Sequence, residues 1–230
     1  MADQPRQLTA PSHAAAHLLQ YHDLIESIVS ALDARDTYTA SHSNRVAEMV
    51  LVLAAALGLG PDETTLIHIA AHLHDIGKIA VPDAVLRKAG PLTADEWQEM
   101  RRHPVTGYNI LRRVADFQDI AVLVLHHHER WDGSGFPDGL KGDSIPIAAQ
   151  VVSLADAYDS LVGKGDKHLA LPQAQAIAEL EAGTYGAFNP LLLECLRDVK
   201  DRLAEEAGMD TPAPPQKKDY PLTKLLLDEV

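Results

Sequence analysis

His72-Leu73-His74-Asp75-Ile76-Gly77-Lys78 is the stretch around which the chain is organised. A histidine followed directly by an aspartate, then a glycine and a lysine, is an unusual group to find in an apolar run. Imidazole nitrogen and carboxylate oxygen together suit Zn, Fe, Mn or Ni. Lys78, four residues past His74, is suited to hold an anionic group beside such a metal. The plain alternative is a helix end whose histidine and aspartate are merely solvated. Upstream, Gly60-Pro61 starts a helix over about 61–76, with Asp62 and Glu63 in its favourable first turn. In that helix His68, His72 and Asp75 share a face at i, i+4 and i+7, either as ligands or as the polar lining of a pocket mouth.

The whole chain has 230 residues, 46% of them hydrophobic, and a formal net charge of −13. That is enough apolar material for one large core. The acidic excess argues against a DNA-binding or anionic-membrane surface, which needs clustered Lys and Arg. It leaves room for a small anionic substrate held through metals, because bound cations reverse the local field. Cys195 is the single cysteine, which allows no intrachain disulfide and fits a reducing compartment. The chain carries no signal pattern and no run of about 18 apolar residues, so a cytoplasmic location is expected.

Apolar periodicity predicts further helices over about 12–35, 42–57, 92–102, 105–114, 117–130, 147–162, 172–182 and 190–207. No stretch reads as a strand, and the class is all-α. Residues 1–11 read as a loose N-terminus, 12–207 as the folded domain, and 208–230 as a proline-containing linker and tail that could dock on a partner. Histidines cluster at helix ends: His42 opens one helix, His103 sits at a break, and His126-His127-His128 close another. Asp156 interrupts an almost wholly apolar helix, and a buried carboxylate must be paired, hydrogen-bonded or metal-bound. A glycine-rich loop, Asp132 to Gly142, lies between.

Together His42, His74, Asp75, His103, His127, His128 and Asp156 could converge on one cavity of a helical bundle. Five imidazoles and two carboxylates are too many for one tetrahedral ion, and suit two metals sharing a bridging carboxylate. The segments Tyr38 to Val46, His74-Asp75-Ile76-Gly77-Lys78, His103-Pro104-Val105-Thr106-Gly107, His127 to Pro137, and Asp156-Ala157-Tyr158-Asp159 resemble the HD-GYP subgroup of HD-domain phosphohydrolases. The resemblance covers roughly residues 20–205. It implies an HD-type helical bundle with a glycine-rich loop of the Gly-Tyr-Pro type, and hydrolysis of cyclic di-GMP to the linear dinucleotide pGpG or on to GMP. It makes His42, His74, Asp75, His103, His127, His128 and Asp156 metal ligands, with Asp75 bridging. Lys78 would contact the scissile phosphate, and Gly135, Phe136 and Pro137 would line the substrate pocket.

Three positions depart from the family pattern. Tyr38 stands where three-metal members carry a glutamate, so two divalent ions are expected, Fe or Mn first and Zn or Ni next. Phe136 replaces the signature tyrosine and removes its hydroxyl. Gly165 and His168 fall where the family often has base-gripping cations, which loosens the claim on cyclic di-GMP. The rival readings are an HD-type phosphohydrolase for another nucleotide and a weakly catalytic signalling or binding module. A homodimer or a signalling protein partner is compatible with each. Glu129, Asp132 and Asp159 are candidates to orient the histidines, and a metal-bound water, His72 or His126 to act as general acid.

Overall fold

The computed structural model describes residues 18, 20–35, 42–162 and 170–206. Helices and short 3₁₀ turns make up its regular structure, with no strand among the described residues. Helix α1 spans His22–Arg35, α2 His42–Leu57 and α3 Pro61–Leu73. A 3₁₀ turn at Ile76–Ala80 leads to α4 (Asp83–Leu86), α5 (Ala94–Met100), α6 (His103–Leu111) and α7 (Gln118–His126). Then follow α8 (Ile147–Val162), α9 (Gln173–Glu181) and α10 (Pro190–Glu206).

The centre of the molecule is α2, which packs on α3, α8 and α10, while α3 also meets α1 and α7. Val46, Val50, Leu53 and Leu57 recur at helical spacing on α2 and are almost wholly buried. Each such leucine contributes about 1.5–3 kcal/mol by leaving water. One main core joins α1, α2, α3, α7, α8, α9 and α10, and Cys195 is buried in it. Thr93 and Glu96 form a reciprocal capping box that starts α5, the kind of cap whose loss typically costs ~1 kcal/mol.

The helix boundaries correct the sequence reading where the histidines lie. The helix expected over 61–76 stops at Leu73, with His74 at its cap and Asp75 opening the 3₁₀ turn. His103 is the first residue of α6 rather than a break between helices, because Pro104 is tolerated at a helix start. The helix expected to reach Arg130 ends at His126, which puts His127 at the cap and His128 beyond it. In contrast, α8 occupies the expected 147–162.

Two glycines set the approach of these elements. A Cβ on Gly77 would overlap the His103 carbonyl, and one on Gly107 would come 2.8 Å from a Val124 methyl. The turn carrying Asp75 therefore lies directly against the start of α6, backbone to backbone. From the other side, Arg35 at the end of α1 donates to the carbonyls of Lys78, Ile79 and Val81 and to Asp83.

Candidate metal centre

Four helix ends and one helix face meet at a single point. The C-terminal end of α3 delivers His74 and Asp75, the start of α6 delivers His103, and the end of α7 delivers His127 and His128. From α2 comes His42, and from the face of α8 come Asp156 and Asp159. Ligand-capable atoms of His42, His74 and Asp75 lie within 4.8 Å of one another, and so do those of His103, His127 and His128. Asp75 stands between the two groups. Its Oδ2 is 3.4 Å from His74 Nε2, and its Oδ1 is 3.4 Å from His103 Nε2. Asp156 Oδ1 closes the first group at 3.1 Å from His42 Nε2 and 4.0 Å from His74 Nε2.

The same local geometry orients three of the histidines. His74 Nδ1 lies 2.6 Å from the Ala71 carbonyl, His103 Nδ1 2.8 Å from Met100, and His127 Nδ1 2.7 Å from Val124. Each acceptor sits three residues upstream, a carbonyl left unpaired where a helix ends or restarts. A carbonyl can only accept, so each Nδ1 carries a proton, and the neutral rings of His103 and His127 present an Nε2 lone pair; burial opposes charge on His74, but Asp75 and Asp156 raise it above the ordinary histidine value. Asp159 replaces the carbonyl for His42: its Oδ2 accepts from Nδ1 at 2.7 Å, and Arg45 grips both its oxygens at 2.8 Å.

A cation fits this donor set. His103 Nε2 faces His127 Nε2 at 3.3 Å, and with both Nδ1 atoms already donating, two lone pairs point at each other. His74 Nε2 is buried with no hydrogen-bond partner. Lone pairs opposed in this way are repulsive, and a buried polar atom without a partner is costly; cations held by the two groups would remove both penalties. Burial pushes His103 down to about 4 and His127 to about 3, which keeps both neutral, and it drives His128 well below the ordinary histidine value. Burial also opposes charge on His42, but its bonds to Asp156 and Asp159 outweigh that and raise it to about 10. Asp75 is held well below the usual carboxylate range: burial opposes ionisation, and Lys78 and His74 overcome it.

The remaining candidates divide. Lys78 Nζ lies 2.6 Å from Asp75 Oδ2, so its charge is spent on that carboxylate in this state. Phe136 packs its ring 4.9 Å from His128, and the Phe136 N–H donates to the His128 carbonyl. Gly135 permits this return, since a Cβ there would overlap the Glu129 and Arg130 backbone. Glu129 does not orient a histidine; its Oε1 accepts from the N–H groups of Asp138 and Gly139 and shapes the loop. Asp132 accepts from Ser134. His126 pairs with Asp138, and His68 and His72 turn toward His22 on α1 instead of joining Asp75. Tyr38, Gly165 and His168 lie outside the described residues.

A cavity of about 490 Å³ opens beside the centre, lined by Arg101, Arg102, Thr106, Phe136 and Pro137. The Arg101 guanidinium lies 4.4 Å over the Phe136 ring. Neither arginine is singled out by the sequence reading, although Arg101-Arg102 immediately precedes His103 and offered the signal.

An HD domain family model matches residues 23–189. The chain is 38% identical over 188 residues to the cyclic di-GMP phosphodiesterase response regulator RpfG of Xanthomonas campestris pv. campestris, covering 81% of this chain and 50% of that one. It is also 38% identical over 181 residues to the 3'3'-cGAMP-specific phosphodiesterase 2 of Vibrio cholerae, covering 78% of this chain and 35% of the relative. It thus spans half the length of the first and about a third of the second. Among solved structures, Bd1817, an HDG"Y"P protein from Bdellovibrio bacteriovorus, superposes with a TM-score of 0.59 at 23% identity, over 81% of this chain and 68% of that one, and shares the fold. With its family model, its helical bundle and its paired histidine and aspartate at a helix end, the chain belongs to the HD-domain family.

Proposed function

We propose that the chain is a metal-dependent phosphodiesterase that opens a cyclic dinucleotide, cyclic di-GMP first, to pGpG or GMP. The observation that carries this reading is Asp75, one carboxylate with an oxygen toward each of two histidine groups. Two divalent ions, Fe or Mn foremost, would be held by His42, His74, Asp75 and Asp156 on one side and by Asp75, His103, His127 and His128 on the other. When bound, such ions acidify water and draw charge from phosphoryl oxygens.

The chain's own residues supply the rest. The Ala71, Met100 and Val124 carbonyls and Asp159 fix the imidazoles, so little reorganisation is needed when the site fills. Lys78 adds a positive charge at the Asp75 edge for the scissile phosphate. The cleft between Arg101 and Phe136 offers a cation and an aromatic face to a nucleobase, and its two arginines suit a phosphate. Water attacks phosphorus in line with the departing sugar 3'-oxygen. The folded unit is taken as residues 12–207, and its setting as the cytoplasm.

The similarity to a 3'3'-cGAMP-specific relative favours a second reading, in which a mixed cyclic dinucleotide is the preferred substrate. One experiment addresses both. The protein is loaded anaerobically with Mn or Fe(II), its ions are counted, and hydrolysis of cyclic di-GMP and 3'3'-cGAMP is followed side by side. About two ions per chain with turnover, abolished in Asp75→Asn, supports the proposal. Two ions without turnover of either substrate removes both cyclic-dinucleotide readings and points to another nucleotide or a binding role.

A further inference from the structure

A second set of histidines lies away from the centre, between α1 and α3. One nitrogen each from His22, His68 and His72 falls within 4.8 Å of the other two. The rings surround a common point: His68 and His72 are 4.7 Å apart at an interplanar angle of 86°, and His22 and His72 5.2 Å apart at 90°. His68 Nδ1 is 3.2 Å from the Ala47 carbonyl and so must donate. Its Nε2 is therefore a lone pair in the neutral ring, and it faces His22 Nε2 at 3.3 Å. His72 is 4% exposed, and neither of its nitrogens has a hydrogen-bond partner.

A pocket built only to bury these rings would not leave both polar atoms of His72 unsatisfied, because each loses its hydrogen bonds to water with nothing in return. A cation answers that deficit; without one, His22 Nε2–H donates to the His68 Nε2 lone pair at 3.3 Å, and an ion would replace that proton. Although His72 precedes His74 by two residues, the two point apart: His72 toward α1, and His74 toward His127 on the far side of α3.

We propose that His22, His68 and His72 form a second cation site that takes one divalent ion of the zinc class and fastens α1 to α3. Three imidazoles select Zn, Co, Ni or Cu over Mg or Ca, and leave the fourth position of a tetrahedral ion to water or a carboxylate. Glu26 Oε1, 4.0 Å from His22 Nδ1 on the solvent side, supplies either that carboxylate or an acceptor that orients His22. The His22 side chain is 29% exposed, which gives the ion a way in. The same helix carries Arg35, which holds the Lys78 to Val81 strand of backbone at the other end of α1. An ion at His22 thus ties down the helix that braces the turn bearing Asp75 and Lys78.

The test compares metal-free full-length protein with His22→Ala and His22→Gln. Each is titrated with Co²⁺ and with Zn²⁺, with bound metal counted by mass spectrometry and the visible Co²⁺ spectrum recorded. Wild type should bind one more ion than either variant, and the difference spectrum should carry the intense bands of a low-coordinate, nitrogen-bound cobalt. Zinc should also raise the melting temperature of wild type more than that of His22→Ala. Equal stoichiometry and affinity in wild type and both variants would overturn the proposal. The readout is a difference at His22, so an error in the ion count of the main centre moves all three proteins together and leaves this result intact.

Discussion

Replacing Asp159 by asparagine isolates what orients the His42 imidazole. Asp159 is 3% exposed and accepts from three N–H groups, one on His42 and two on Arg45. An asparagine keeps one oxygen and puts an amide N–H₂ where the other oxygen stood. That group would face a donor with a donor, whichever way the amide turns. The charge that supports His42 is lost as well. The fold should survive, because Arg45 is 43% exposed on its side chain and can turn to water. Losing the acceptor behind a ligating histidine typically weakens metal binding by about 10–100-fold, or roughly 1.4–2.7 kcal/mol. The loss should fall on the ion beside His42 and spare the one beside His103, where His103 and His127 rest on backbone carbonyls. Competition with a chelator, followed by Mn²⁺ or Zn²⁺ titration calorimetry, resolves the two steps. An unchanged first and second affinity would show that Asp159 is only the partner of Arg45, and that His42 needs no orienting group.

Three other perturbations probe different links. Gly77→Ala must push the turn off α6, since the added Cβ meets backbone rather than a movable side chain; a loss of about 1–3 kcal/mol in denaturant unfolding, with weaker metal uptake, is expected. Metal loading should release at least one proton per chain at pH 7, because His42, raised to about 10, is protonated before the ion arrives, whereas His103 and His127 are already neutral. The sign follows: in the metal-free protein the His42 contribution to stability is complete below about pH 6.5 and fades as pH rises toward 10, while metal affinity climbs over the same range; calorimetry in buffers of different ionisation enthalpy checks the proton count, and a count of zero refutes it. Arg101→Ala should raise KM for a cyclic dinucleotide about tenfold with metal content unchanged, since a guanidinium stacked on Phe136 touches the cleft and not the ions; unchanged steady-state kinetics would take the base out of that cleft.

The parts of the fold written in local pattern were legible in the sequence. The almost wholly apolar run of α8 marked both of its ends, and Asp156 stood out because it interrupts that run. Periodicity misled where a helix stops early: His68, His72 and Asp75 share a face only if α3 runs on to Asp75, and it ends at Leu73. Once the chain enters the 3₁₀ turn, Asp75 swings to the centre and the two histidines stay facing α1. His22 gave no signal at all, being one histidine on an ordinary amphipathic helix whose partners arrive from 46 residues away. The cleft arginines were missed for a similar reason, since Arg101 acquires meaning only when the loop bearing Phe136 folds back over it.

What the sequence could not state is why helix ends, of all places, should carry the ligands. In the interior of a helix each carbonyl is occupied by the N–H four residues on. At a terminus it is not, and a histidine three residues downstream can give its Nδ1–H to that carbonyl, as His74, His103 and His127 do. The backbone then performs the orienting task that elsewhere needs a carboxylate, without adding negative charge to a site that already holds Asp75 and Asp156. His42 opens its helix, and there the Asp159 carboxylate is the acceptor for Nδ1–H. The Gly77–His103 contact then brings two of these termini together closely enough for one aspartate to face both. Helix termination is thereby the step that turns a row of histidines into the proposed site for two ions.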